Sequence, residues 1–409
     1  MHLRALEFRA LALTIALGGS LLSGQVSSRT EEIKQARRKK AAETAPEVAS
    51  KAEQRLNWIQ DSHVLERFAT GYHGLTVVLG GLGTGQGFAL GPQYLRDHLL
   101  DGQMTFRTSA RASGSRAVLL DAQVTFPHLA NDKVFFDFLA QHRNYPRVDY
   151  FGSGPDSQEG NRSHFRLEDT SADFTLGFRP VEHLSAGVKG GYLAVNTGRG
   201  NNDDVAFTED VFTPLTTPGL ANQTAFLRGG FFGLYDYRDS PGGPRSGGKY
   251  SVEYMFYDDR NLQLHNFRRL DLEIQQYIPF FAKRRVIALR AKSTLTYPNG
   301  GNTMPFYLQP TIGGSTDLRG FRPYRFYDNN AIVTTAEYRW EAFTGLEMAL
   351  FFDAGKVAPK RSQINFHDLE ASAGVGFRFN IRNSTFLRLD VGASHEGIQI
   401  WMVFGGIFP

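Results

Sequence analysis

The sequence predicts an all-β fold: a transmembrane antiparallel β-barrel of about sixteen strands, preceded by a short N-terminal helical segment. Three observations lead there. Apolar and polar residues alternate through successive runs of about 9 to 15 residues, with turn chemistry between them. The polar face of these runs carries charges of both signs and many glycines. The connections between runs alternate between short and long. Period two with one apolar face fits either a sandwich or a barrel. Short turns at one end and long loops at the other belong to an outer-membrane barrel, whereas a sandwich has no reason for one-sided lengths.

Composition agrees. The 409 residues suffice for two average domains or one large all-β domain. Glycine (43) and phenylalanine (33) are abundant, as short strands and many turns require. The absence of cysteine excludes disulfides and thiolate metal sites. A net charge of +4 is too small to point to nucleic acid. The slightly negative mean hydropathy is compatible with a membrane barrel, because only alternate strand residues face lipid.

Taken in order, residues 1–28 read as a signal peptide. His2, Arg4 and Arg9 make a basic start, Ala10 to Leu22 is apolar, and the small residues of "SGQVSS" follow. That run is too short to span a bilayer as a helix, and no other segment reaches about 18 apolar residues. Residues 29–70, including "RTEEIKQARRKKAAETAPEVASKAEQRLNWIQ", are rich in Ala, Glu, Lys and Arg. Val48, Ala52, Leu56 and Ile59 recur at helical spacing there, so a periplasmic basic linker and one amphipathic helix are expected. The segment is short for an independent domain.

The barrel is expected over 71–409, and its last third alternates most cleanly. In "AIVTTAEYRW", Ile332, Thr334, Ala336, Tyr338 and Trp340 oppose Glu337 and Arg339. In "LEMALFFDAG", Leu346, Met348, Leu350 and Phe352 oppose Glu347 and Asp353. In "LEASAGVGFRFNI", Ala371, Ala373, Val375, Phe377 and Phe379 oppose Glu370, Ser372, Gly374, Gly376 and Arg378. In "TFLRLDVGAS", Leu387, Leu389 and Val391 oppose Arg388 and Asp390. Long connections are expected near 149–162, 199–223, 299–330 and 359–368. An even strand count returns both termini to the short-turn side, the periplasm.

Some motifs point elsewhere and are weaker. "GGPRSGGK" lacks the hydroxyl residue of a phosphate-binding loop and precedes a strand. "GGLGTGQG" joins two strand-like runs with no helix after it, so it reads as a hairpin turn. Ser163-His164 and Ser394-His395 hint at a lipid hydrolase in the barrel wall, but neighbours on a strand point to opposite faces. No His-Glu-x-x-His spacing occurs among the eleven histidines. Neither a cofactor nor a metal nor an enzymatic activity is expected.

"GGSTDLRGFRPYRFYDNN", Gly313 to Asn330, lies in a long connection and holds three arginines. A loop of that length in a compact domain is functional or disordered, and its arginines, aromatics and prolines argue against disorder. An arginine can rest in solvent, or enter the lumen and pair with a carboxylate; parity offers Glu337, Asp353 and Glu370.

The stretch resembles the signature loop of the outer-membrane assembly-factor superfamily, also called the bacterial surface antigen family, which includes BamA, TamA and the two-partner secretion transporters. The hallmark, a hydrophobic residue followed by Arg-Gly-Phe or Arg-Gly-Tyr, matches Leu318, Arg319, Gly320 and Phe321. "YFGSGPDSQEGNRSHF", "DYRDSPGGPRSGGKYSVEY", "AEYRW", "FFDAGKV", "SAGVGFRF", "FLRLDVGAS" and "WMVFGGIF" follow the family in order, over roughly 72–409.

The resemblance implies a sixteen-stranded barrel with the long loop folded inward, Arg319 pairing with Asp353 and Glu370 of the wall. It implies a weak seam between first and last strands, about 73–83 and 398–409. The last strand presents Ile398, Ile400, Met402, Phe404 and Phe408 on one face. Family members that insert or secrete proteins carry periplasmic POTRA domains, which 29–70 is too short to hold. The function implied is insertion or translocation of a membrane protein or lipid through the seam. The alternatives are a plugged solute channel and a barrel lipid hydrolase. Expected partners are outer-membrane lipids, a client outer-membrane protein or lipid, and the assembly machinery for the barrel's own insertion; nucleic acid is not expected.

Overall fold

Alternation becomes a ladder because each strand must bury two different faces in two different media. The computed structural model describes residues 73–80, 82–381 and 384–405. The expected signal peptide, the basic linker with its helix, and Phe408 lie outside the described residues.

The first half of the barrel comprises β1 (Leu75–Leu79), β2 (Ala89–Leu99), β3 (Met104–Ser113), β4 (Val118–Leu129), β5 (Val134–Tyr150), β6 (Ser163–Phe178), β7 (Leu184–Arg199) and β8 (Ala225–Asp236). The second half continues with β9 (Gly247–Asp259), β10 (Phe267–Phe280) and β11 (Arg285–Pro298). Two short strands, β12 (Thr311–Ile312) and β13 (Phe326–Tyr327), interrupt the series inside a long connection. β14 (Asn330–Phe343), β15 (Leu346–Ala358), β16 (Glu370–Ile381), β17 (Ser384–Ser394) and β18 (Gly397–Phe404) complete it. β12 and β13 form a separate two-stranded sheet, with one isolated bridge from Tyr327 to Ser153; the other sixteen form one antiparallel sheet in chain order from β1 to β18. No helix among the described residues is long and apolar enough to cross a membrane.

The connections sort by end. Residues 100–103, 130–133, 281–284 and 344–345 close tight turns at one end. Residues 151–162, 200–224, 299–329 and 359–369 form long connections at the other. The 200–224 connection carries a single helical turn, α1 (Thr208–Val211). At Pro146, which lacks an N–H, the β5–β6 register shifts between Tyr145 and Val148.

Burial is inverted relative to a water-soluble protein. On β15, Leu350 and Phe352 are about half exposed while Asp353 is fully buried. Glu337, Arg388 and Asp390 are likewise at most 1% exposed. Apolar outside and charged inside is stable only when hydrocarbon surrounds the wall. Toward the long-connection end the lumen is filled by aromatics: the Phe306 ring packs 4.8 Å from Phe165 and 5.2 Å from Tyr150.

Leu350→Arg places a guanidinium on the lipid face. We expect it to destabilise the barrel by about 2–4 kcal/mol, read by denaturant unfolding in lipid vesicles. Wild-type stability in that variant would mean the face does not meet lipid.

Candidate functional site: the inward loop and the strand seam

The 299–329 connection runs back into the barrel and is pinned there by its arginines. β12 and β13 pair as Thr311↔Tyr327 and Ile312↔Phe326, forming a narrow neck. Beyond the neck the tip turns at Leu318, whose carbonyl accepts from the Phe321 amide at 3.1 Å. Leu318 and Phe321 are fully buried and pack with Ile312, Phe326, Val333 and Val357.

Arg319 is 0% exposed, which demands a full set of partners. It donates from Nε to Asp353 Oδ2 at 2.9 Å and from Nη2 to Asp353 Oδ1 at 2.8 Å. This is the bidentate fork that only a guanidinium makes. Nη1 donates to Glu337 Oε2 at 2.8 Å and lies 3.5 Å from Asp390 Oδ2. The group also stacks over Phe351, 3.4 Å from its centroid.

The carboxylates serve further arginines. Arg378 donates to Glu337 at 2.9 Å and to Asp390 at 2.6 Å. Arg339 donates to Glu337 at 2.7 Å. Arg388 lies 3.2 Å from Asp390 Oδ2 and donates to the Ser315 carbonyl at 2.8 Å. Four guanidiniums therefore share three carboxylates across β14 to β17 and the loop tip.

Glycines make the fit possible. A Cβ on Gly320 would stand 2.6 Å from Ser372 Cβ and 2.7 Å from the Ala393 carbonyl oxygen. A Cβ on Gly392 would meet the Arg319 carbonyl oxygen at 2.4 Å. The tip lies flat on the wall because neither backbone carries a side chain at the crossing.

The loop's other arginines go elsewhere. Arg325 donates to Glu396 at 2.7 Å and to the Ser157 carbonyl at 2.7 Å, joining the neck to two further connections. Arg322 reaches Glu159 at 3.3 Å. Arg290 of β11 donates to the Thr316 carbonyl at 2.8 Å.

Of the acids that parity offers the loop arginines, the structure brings Glu337 and Asp353 to Arg319, and Asp390 is the addition. Glu370 is a correction. It shares the lumen face but pairs across β15 with Gly355, one alternate position beyond the Asp353–Ser372 row, and faces His395 at 3.4 Å. Asp390 had the right parity in the sequence; only strand register reveals its reach. Ser394 donates its hydroxyl to the Gly320 carbonyl at 2.8 Å rather than to His395. Ser163 donates to the Tyr150 carbonyl at 2.9 Å. Among the described residues there is no cluster of metal-ligating side chains.

The second feature is the seam. β1 pairs only with β2 and β18 only with β17; among the described residues no ladder joins β1 to β18. Ile398, Ile400 and Met402 are exposed on the outer face of β18. Phe404 packs 5.4 Å from Phe88, and a Cβ on Gly80 would lie 3.5 Å from its Cβ. On the inner face, Trp401 Nε1 donates to the Arg319 carbonyl at 2.7 Å.

Residues 102–395 match the Omp85 superfamily domain. The chain belongs to the Omp85 superfamily. It is accordingly a transmembrane β-barrel of the outer membrane. Among solved structures it is similar to BamA from Haemophilus ducreyi lacking POTRA domains 1–3, with a TM-score of 0.60 and 16% identity over 81% of this chain and 69% of that one. It is also similar to CdiB from Escherichia coli, with a TM-score of 0.51 and 13% identity over 80% of this chain and 61% of that one. At these identities the likeness is one of fold. A search of curated proteins returned no match.

Removing Arg319 leaves Glu337, Asp353 and Asp390 short of a positive partner in a dry site, a loss on the order of 3–5 kcal/mol. For this Omp85 barrel we expect Arg319→Ala to release the tip. Planar-bilayer recordings should change from quiet to large, noisy openings. Equal, steady conductance from wild type and variant would show that Arg319 holds no plug.

Asp328, beside β13, has one oxygen accepting the Asn329 amide at 2.7 Å and one buried without a partner. Burial pushes its carboxyl up to about 6, the Asn329 amide opposing. A raised acid favours the folded loop below the ordinary value near 4, and that contribution is lost as pH rises through about 6. Amide exchange of the loop, corrected for intrinsic rates, should be slower at pH 5 than at pH 7.5. Asp328→Asn should abolish the difference, and persistence of the difference would assign it to another group.

Proposed function

We propose that this barrel inserts or translocates membrane proteins or lipids at the outer membrane through the seam between β1 and β18, with its short-connection end and both termini in the periplasm. The supporting observation is the unjoined pair of terminal strands at the two ends of one continuous sheet. Backbone groups on an unpaired edge have no water to bind in hydrocarbon, so the edge is a costly surface that an incoming strand can satisfy. The exposure of Ile398, Ile400 and Met402 supports a lipid-facing edge. The fold of the long loop into the lumen supports a lateral route over an axial one. Its attachment through ion pairs favours a gated solute channel as the second reading.

The chain has no cysteine, so an engineered pair is its only thiol chemistry. The 3.5 Å separation at Gly80 and Phe404 falls in the disulfide range. In vesicles containing Gly80→Cys/Phe404→Cys, oxidation should abolish acceleration of the insertion of an unfolded small β-barrel, and dithiothreitol should restore it. Undiminished acceleration in the oxidised state would overturn the seam route. Conductance of the oxidised pair without any insertion activity in the reduced state would select the channel.

A further inference from the structure

A second polar constellation lies at the long-connection end, away from the Arg319 network. A cavity of about 210 Å³ opens where β5, the start of β6, the 200–224 connection and the long loop converge. It is smaller than the ~300–1,000 Å³ of drug-sized sites, so it suits a compact group. Arg147 and Asp149 line it from β5, Arg162 and His164 from the β6 start, and Arg322 and Tyr324 from the loop.

Charge in this lining is one-sided. Three guanidiniums meet the single carboxylate of Asp149, which Arg162 holds at 3.0 Å. Among the described residues, Arg147 spends only its Nε, on Asn201 at 2.9 Å, and Arg322 only its Nε, on Glu159 at 3.3 Å. Each keeps its remaining N–H donors, which a guanidinium presents as a fork.

His164 supplies the independent observation. It is 2% exposed and lines the cavity, yet among the described residues neither ring nitrogen has a hydrogen-bond partner. Buried imidazoles are seldom left so, because an unpaired donor or acceptor carries its full desolvation cost. Its ring packs beside Phe207, with centroids 5.1 Å apart, and a Cβ on Gly200 would stand 2.0 Å from its Cδ2. An orphaned, closely packed imidazole beside three arginines is a lining suited to an acceptor-rich guest.

We propose that this cavity binds a phosphate group, with Arg147, Arg322 and His164 as its donors. A tetrahedral oxyanion offers oxygens in several directions, matching donors that converge from separate elements; a planar carboxylate satisfies one fork. The guest is either free phosphate or the phosphate of a glycolipid headgroup. In either case it bridges the long loop to the β5–β6 wall. The site stands independently of the seam.

Calorimetry on the full chain in phosphatidylcholine nanodiscs tests this, with inorganic phosphate as titrant. Wild type should bind at millimolar phosphate. Arg147→Gln/Arg322→Gln and, separately, His164→Phe should each weaken binding by about tenfold or more, with heat-modifiable gel migration verifying the folded barrel. The titration is then repeated in nanodiscs containing lipid A. Loss of the phosphate signal there identifies a headgroup as occupant; its persistence identifies free phosphate. No binding by wild type in phosphatidylcholine, or equal binding by both variants, overturns the site.

Discussion

Hydrocarbon contains no water, and most of this architecture follows from that one constraint. A backbone N–H or C=O facing lipid must find a partner within the protein, so strands pair on both sides until the sheet curls round. Side chains must then split by parity, apolar outward and polar inward, and the lumen inherits nearly all the charge. A lumen lined by arginines and carboxylates is itself unstable unless filled by water or by a matching polar segment. The long loop is that segment. The constraint also isolates the exception: among the described residues, β1 and β18 are the two strands of the sixteen-stranded sheet that lack a ladder on one side.

The buried ion cluster is better understood as a device for geometry than for stability. Desolvating four guanidiniums and three carboxylates costs much of what their attraction returns. What remains is specificity, because the bidentate Arg319–Asp353 fork and the Arg319–Glu337 bond form in one pose of the tip. Gly320 and Gly392 reinforce this by removing the side chains that would hold tip and wall apart. A methyl group at the crossing would press the tip off the wall and lengthen the Arg319–Asp353 contacts.

Much of the barrel was legible because parity is a local property. Leu350 and Asp353 declare their faces from sequence alone, and each long connection announces itself by its length and composition. Pairing is not local. Glu337, Asp353 and Glu370 share one face in the sequence. Choosing among them requires knowing that Asp353 lies beside Ser372 while Glu370 lies beside Gly355. Arg378, Arg388 and Asp390 were visibly inward-facing, yet nothing in their spacing shows that they converge on Glu337 and the loop tip. The cavity around His164 was least legible, since its walls come from β5, β6 and four separate connections. The Ser163-His164 pair drew notice for a hydrolytic reason, whereas the structural interest of His164 is its missing partners.

Trp401 carries a consequence of its own. Its indole N–H, on the terminal strand, binds the carbonyl of the very arginine that locks the loop. The plug and the seam strand are thus joined by a direct bond rather than by a relay. Displacing β18 far enough to break it strips the tip of one anchor, and withdrawing the tip strips β18 of the same contact. Linkage makes the two effects equal in free energy. Under the proposed lateral route, parting of the seam and release of the loop would be coupled equilibria through this one bond.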